Sequence, residues 1–153
     1  MNEFSRRFRF ADWPNQEVPL VSAGVYAVWE GEQLIYCGMA RAKLESAIEL
    51  GRKKRGLRQR LTSHASGRLS GDQFCVYIAS RLVVPELPAQ TLPRLRAGTE
   101  TLDALTKKYI HDKLDYQFAC VQSSAEALEL EQNCRQGRVF GVQPLLNPLN
   151  NAV

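Results

Sequence analysis

A handful of side chains in this sequence could move protons or hold charged oxygen atoms. They are Tyr26 and Tyr36 in the segment AGVYAVWEGEQLIYCG, Arg60 and His64 one helical turn apart, Glu131, and Asn147 just before a proline. Phenols and an imidazole can orient a water or pass on its proton. A guanidinium can stabilise the charge of a pentacovalent phosphorus. A carboxylate can ligate Mg²⁺, a hard ion that accepts one carboxylate plus waters. Phosphodiester hydrolysis needs parts of these kinds. None is specific alone: two facing tyrosines are often a cross-strand aromatic pair, and an inward arginine and histidine are often members of a structural ion pair. The sequence holds no P-loop, no G-x-S-x-G, no G-x-G-x-x-G and no paired acids at a fixed short spacing.

The elements that must position these groups can be read from periodicity. Residues 23–38 predict two short strands joined at Glu30-Gly31-Glu32, with Val25, Ala27 and Trp29 alternating with Tyr26 and Val28. A three-residue loop sets Tyr26 across from Tyr36 on one face; a two-residue loop puts them on opposite faces, because a one-residue slip flips every side chain. Residues 57–65 predict a short helix closed by Gly67. Leu57, Arg60, Leu61 and His64 share its inward stripe, leaving Arg58, Gln59, Thr62 and Ser63 outside. Residues 73–81 (QFCVYIASR) predict a strand, with Phe74, Val76 and Ile78 alternating with Cys75 and Tyr77. Prolines 85, 88 and 93 mark 82–98 as a loop or excursion. A helix follows over 99–114, with Leu102, Leu105 and Tyr109 inward and His111 at or near its surface, and then a strand over 116–121.

Ser123-x-x-Glu126 is a capping box that opens a helix ending at Gly137. Its apolar stripe is Ala127, Leu128, Leu130 and Cys134, with Glu131 on the edge, half-buried and without a partner in its own helix unless Arg135 turns back to it. The segment 143–148 is extended and presents Asn147 before Pro148. At the other end, Phe4, Phe8 and Phe10 alternate with Arg6, Arg7 and Arg9. This is either an edge strand packing its aromatics inward or an arm touching nucleic acid, and the packing reading is favoured.

At 153 residues the chain is long enough for one domain with a proper core. No apolar run approaches a membrane span, and the basic N-terminus lacks the apolar core of a signal peptide, so a cytoplasmic location is expected. The four cysteines have no C-x-x-C spacing and there are only two histidines, which argues for reduced thiols and against a zinc cluster. The net charge of +4 is unevenly spread. Arg41, Lys43, Arg52, Lys53, Lys54, Arg55, Arg58, Arg60 and Arg68 stand against Glu45 and Glu49, giving that segment +7 and the rest −3. Such a face suits a phosphate backbone, and these residues other than Arg60 are candidate DNA contacts.

The order Gly24-Val-Tyr26, Tyr36-Cys-Gly38, Leu57-x-x-Arg60-Leu-x-x-His64, Glu126-Ala-Leu-x-Leu-Glu131-x-Asn and Pro144-Leu-Leu-Asn147 resembles the GIY-YIG nuclease superfamily, over roughly residues 23–148. The histidine four residues after the arginine is closest to the restriction-enzyme branch. The resemblance implies an α/β (α+β) fold with a three-stranded antiparallel sheet flanked by helices, preceded by an arm at 1–20 and carrying an insertion at about 82–114. It implies Mg²⁺- or Mn²⁺-dependent hydrolysis of duplex or branched DNA to 5′-phosphate and 3′-hydroxyl ends. Tyr26 would be the general base or a water-orienting phenol, and Tyr36 would orient water or phosphate. Arg60 would contact the scissile phosphate, His64 would relay a proton, Glu131 would bind the metal and Asn147 would buttress the site. Cys37 stands where the family usually has Ile or Val, and the stretch from Gly38 to Arg60 is longer than in the repair enzymes. With no separate DNA-recognition domain expected, target specificity falls to loops, a homodimer or nothing. The competing expectations are a catalytically silent nucleic-acid-binding module and a structural protein with Glu131 paired to Arg60.

Overall fold

Alternation of small and β-branched residues with aromatics makes residues 24–40 a hairpin. Strand β2 (Gly24–Glu30) pairs antiparallel with β3 (Gln33–Ala40). The computed structural model describes residues 3–41 and 56–150. Lys43, Arg52, Lys53, Lys54 and Arg55 lie outside the described residues. Gly31 and Glu32 form the turn, and Gly31 takes the left-handed φ of 56° that a tight hairpin requires. Of the two loops weighed, the two-residue one forms, with Glu30 paired to Gln33. The register nevertheless shifts between Val28 and Trp29, so that Val28 pairs with Tyr36 and Trp29 with Leu34. Ile35 is the extra residue of a β-bulge, and it reverses the parity that a two-residue turn would impose. Tyr26 and Tyr36 thus share a face.

The sheet has four antiparallel strands where three were expected. Its order is β1-β4-β2-β3, with β1 (Phe8–Arg9) and β4 (Asp115–Cys120) completing it. Strand β1 realises the packing reading of the N-terminal aromatics. Phe8 stacks over Tyr116 and Phe118, Phe10 is fully buried, and Arg6 and Arg7 lie over the rings of Phe8 and Trp29. The far edge, β3, is covered by the C-terminal segment: Leu145 and Leu146 donate their N–H groups to the carbonyls of Leu34 and Ile35 at 3.0 and 2.9 Å.

Two helical layers cover the sheet. On the Tyr26 face lie α1 (Leu57–Ser66), α2 (Gln73–Ile78) and α4 (Leu102–Lys113), packed through Leu57, Leu61, Phe74, Ile78 and Ile110 around Tyr26, Val28 and Tyr116. A short α3 (Thr91–Ala97) lies between α2 and α4. On the opposite face α5 (Ser124–Arg135) sets Ala127 and Cys134 against Val25, Ala27 and Cys37. The capping box forms: Ser123 Oγ accepts from the Glu126 N–H, and the Glu126 carboxylate accepts from the Gln122 N–H.

The strand expected at 73–81 is a helix, α2, continued by a wider helical turn over Ala79–Val83. Its buried positions, Phe74, Cys75, Ile78, Ala79 and Val83, recur at three to five residues, not two. The N-cap decides between the two: Asp72 Oδ1 accepts from the Cys75 N–H at 3.0 Å. The excursion after it is also mostly helical. His111, expected at or near the surface, is half-buried and bonds through Nε2 to the Ala65 carbonyl at 2.7 Å, tying α4 to α1.

Candidate active site

The site is built on the β2–β3 hairpin. Tyr26 on β2 lies directly opposite Gly38 on β3 and diagonally from Tyr36, with ring centroids 6.2 Å apart and planes tilted by 25°. A side chain at 38 would overlap the Tyr26 ring and hydroxyl, so only glycine lets the phenol lie across β3. Gly24 plays the same part for the neighbouring helix: a Cβ there would overlap Leu57 and the Ala119 carbonyl, blocking the approach of α1 to the sheet.

Helix α1 brings His64 onto this phenol. His64 is buried, and its Nε2 is 2.5 Å from Tyr26 Oη. Its Nδ1 is 2.7 Å from Asp72 Oδ2, the same carboxylate that caps α2. Ser63 Oγ donates to that oxygen at 2.6 Å. Phe74 lies along the imidazole with centroids 4.4 Å apart, and also meets Tyr36 edge-on at 5.1 Å. Four groups are therefore in line: Tyr26, His64, Asp72 and the first turn of α2.

The electrostatics follow from burial. Burial raises the Tyr26 phenol well above its ordinary value; Tyr36, Asp72 and Glu131 push the same way and Arg60 opposes. Tyr36 is pushed up to about 12, by burial first, with Arg60 opposing and Asp72 and Glu131 adding. Burial lowers His64 below 6.5 and Arg60 lowers it further, although the hydrogen bond it donates to Asp72 pulls upward. Burial would raise Asp72, but the hydrogen bonds from His64, Ser63 and the Cys75 N–H outweigh it and hold the carboxyl at about 2. At neutral pH the line is a protonated phenol, a neutral imidazole and a carboxylate.

Arg60 does not point into the core as its place on the stripe predicts. It is exposed, and with Met39, Arg41, Gln59 and Ser63 it lines a cavity of about 450 Å³ between the end of β3 and α1. Its charge still reaches Tyr26, Tyr36 and His64. Arg41 and Arg68 are exposed, whereas Arg58 is directed into the fold, its Nε donating to the Val18 carbonyl at 2.9 Å and its Nη2 to the Gln16 carbonyl at 3.1 Å.

Glu131 stands on α5, on the other face of the sheet, and its charge acts on Tyr26 and Tyr36. It lies on the buried stripe of α5 between Ala127 and Cys134, while Leu128, expected on that stripe, is 40% exposed. Its partner is Arg135, whose Nη1 donates to Oε1 at 2.9 Å. Arg135 Nε in turn donates to the Asn147 carbonyl at 2.9 Å. Asn147 behaves as one more residue of a strand: its Oδ1 accepts from the Cys37 N–H at 3.1 Å and its Nδ2 donates to the Cys37 carbonyl at 2.6 Å. Glu131 is thus anchored through Arg135 and Asn147 to the residue next to Tyr36.

Among the described residues no three His, Cys, Asp or Glu side chains gather as a metal cage. A lone carboxylate suits only an ion that keeps most of its waters, which is the behaviour of Mg²⁺ and not of a structural zinc. One arginine contact leaves the carboxylate free lone pairs for such an ion.

Sequence reasoning missed Asp72. Its readable signal was an N-cap aspartate before Gln73-Phe-Cys, hidden by the period-2 pattern of the residues after it. No family model, curated protein or solved structure matches the chain.

Proposed function

We propose that the chain is a Mg²⁺- or Mn²⁺-dependent DNA endonuclease of the GIY-YIG kind. The observation that carries this reading is the 2.5 Å contact between Tyr26 Oη and a buried, neutral His64. A phenol held above its ordinary pKa is a poor base by itself. Coupled to an imidazole that can take its proton, it accepts one from water as it gives one up.

In the proposed reaction a water oxygen bonds to phosphorus while one of its protons passes to Tyr26 Oη and the Tyr26 proton passes to His64 Nε2. The P–O3′ bond breaks, the 3′ oxygen takes a proton from solvent, and the 5′-phosphate remains on the other fragment. Arg60, which lines the cavity and whose charge acts on both phenols, meets the charge that builds on the phosphorane oxygens. Tyr36 orients the water or a phosphate oxygen, and Glu131 would hold the metal. Bound there, Mg²⁺ or Mn²⁺ would add charge neutralisation at the phosphate. Cutting both strands of a duplex would favour two copies of the chain, one set of groups for each strand.

The Glu131–Arg135 ion pair favours a second reading, in which the carboxylate is structural. One assay separates the two. In plasmid nicking with Mg²⁺ or Mn²⁺, wild type is expected to cut, while Glu131→Ala and Arg60→Ala lose cutting by about 10²-fold or more. Wild type that binds duplex, nicked and branched DNA in a salt-dependent way but cuts none of them would make the chain a binding module.

A further inference from the structure

We propose that Asp72 is a positioning residue of this centre: acting through His64, it sets the direction of the Tyr26–His64 hydrogen bond so that the phenol donates and the ring accepts. The proposal rests on the nuclease reading for its catalytic meaning, and on geometry alone for the direction of the bond.

A neutral imidazole carries one N–H, and its place decides which way protons can run. If it sits on Nε2, the ring donates to Tyr26 Oη and cannot take the phenol's proton. If it sits on Nδ1, Nε2 offers a lone pair. The partner of Nδ1 is Asp72 Oδ2 at 2.7 Å, and an ionised carboxylate only accepts. The N–H must therefore be on Nδ1, and Tyr26 must be the donor across the 2.5 Å contact. Asp72 is fixed as firmly as the ring it orients. It is 6% exposed, Oδ1 is committed to the Cys75 N–H, and Oδ2 also accepts from Ser63. The charged groups acting on the ring are Asp72 on one side and Arg60 on the other, with the Tyr26 phenol at Nε2. Once His64 has taken the proton, the imidazolium faces the Asp72 carboxylate and both nitrogens keep their partners.

The decisive variant is Asp72→Asn. Its carbonyl can still cap α2, because an asparagine oxygen accepts from the Cys75 N–H as the aspartate does. Its NH₂ then faces Nδ1 and donates, which moves the ring proton to Nε2 and reverses the bond to Tyr26. Loss of cleavage on the order of 10³-fold is expected, with DNA binding unchanged. The second readout is the ¹⁵N spectrum of the imidazoles. The chain has two histidines, and His111, which donates from Nε2 to the Ala65 carbonyl, is an internal reference of the opposite tautomer. Wild type is expected to show N–H on Nδ1 of His64 and on Nε2 of His111, and Asp72→Asn to show both on Nε2.

Wild-type cleavage beside undiminished Asp72→Asn cleavage overturns the proposal and leaves the nuclease reading standing. No cleavage by wild type, with the tautomers as expected, overturns the nuclease reading and leaves the direction of the bond established. Should Asp72→Asn not fold, the wild-type spectrum decides alone, since N–H on Nε2 of His64 overturns the proposal.

Discussion

His64 is a base kept neutral inside the fold, and Asp72 an acid kept ionised beside it. Both make stability depend on pH, and in the same sense. The folded pKa of His64 lies below 6.5, so over the interval between them the unfolded chain holds a proton that the folded chain does not. Unfolding takes up a proton there, and stability falls as pH drops through that interval. The contribution of Asp72 is complete above its ordinary 3.8 and is lost as pH falls toward about 2. The urea midpoint should therefore fall in two stages on acidification, and His64→Gln should remove the upper stage. A His64→Gln profile that tracks wild type below 6.5 would show that His64 is not the group responsible. The histidine, the arginine and the glutamate were readable from type and spacing. Asp72 was not, because its partner sits on a different helix eight residues earlier. Only the short connection from α1 to α2 brings the end of one beside the cap of the other.

Elements whose hydrophobic period is sustained were legible. The hairpin, α1 with its Gly67 stop, α5 with its capping box and β4 follow their patterns closely. The segment 73–81 was not, because six residues with Phe74 and Ile78 both apolar satisfy a period of two and of 3.6 alike. The outermost strand illustrates what holds these elements in register. Along β3, Leu34 and Ile35 are paired by backbone from residues 145–146, and Cys37 is paired by the Asn147 side chain. Asn147→Ala removes both bonds to Cys37 and leaves the Cys37 N–H and C=O facing outward. The expected cost is about 1–3 kcal/mol, read as a lower denaturation midpoint together with faster hydrogen exchange at the Cys37 amide. Unchanged exchange at Cys37 would mean that the backbone pairing of residues 145–146 suffices.

For the molecule as a whole, charge is the feature that reaches beyond the fold. The sequence shows a +7 segment between Arg41 and Arg68, yet its arginines are not equivalent once folded. Arg41 is exposed at the cavity rim, whereas Arg58 holds the loop carbonyls of Gln16 and Val18. Arg41→Ala should lower the slope of log K for DNA against log salt concentration by about 1, with thermal stability unchanged. Arg58→Ala should do the reverse, leaving the slope and costing about 1–3 kcal/mol of stability. Fluorescence-anisotropy titrations over a salt series, with thermal melts of each variant, check both. Equal slopes for wild type and Arg41→Ala would move the DNA path away from this rim. No helix among the described residues is long and apolar enough to cross a membrane.

The bulge at Ile35 has a consequence in time. The hairpin leaves the ribosome early, and by itself it has two ways to zip: with Ile35 expelled from the ladder, or with every residue paired and Tyr36 turned to the wrong side. The contacts along the outer edge of β3 are made late. Asn147 lies 110 residues behind Cys37 in the order of synthesis, and Leu145 and Leu146 come with it. Until those residues exist the outer edge of β3 has no backbone partner among the described residues, and the two phenols have nothing at that edge to hold them on one side. The pairing that the tail gives to the β3 edge is thus available only after the helices that supply Arg60, His64 and Glu131 have been translated.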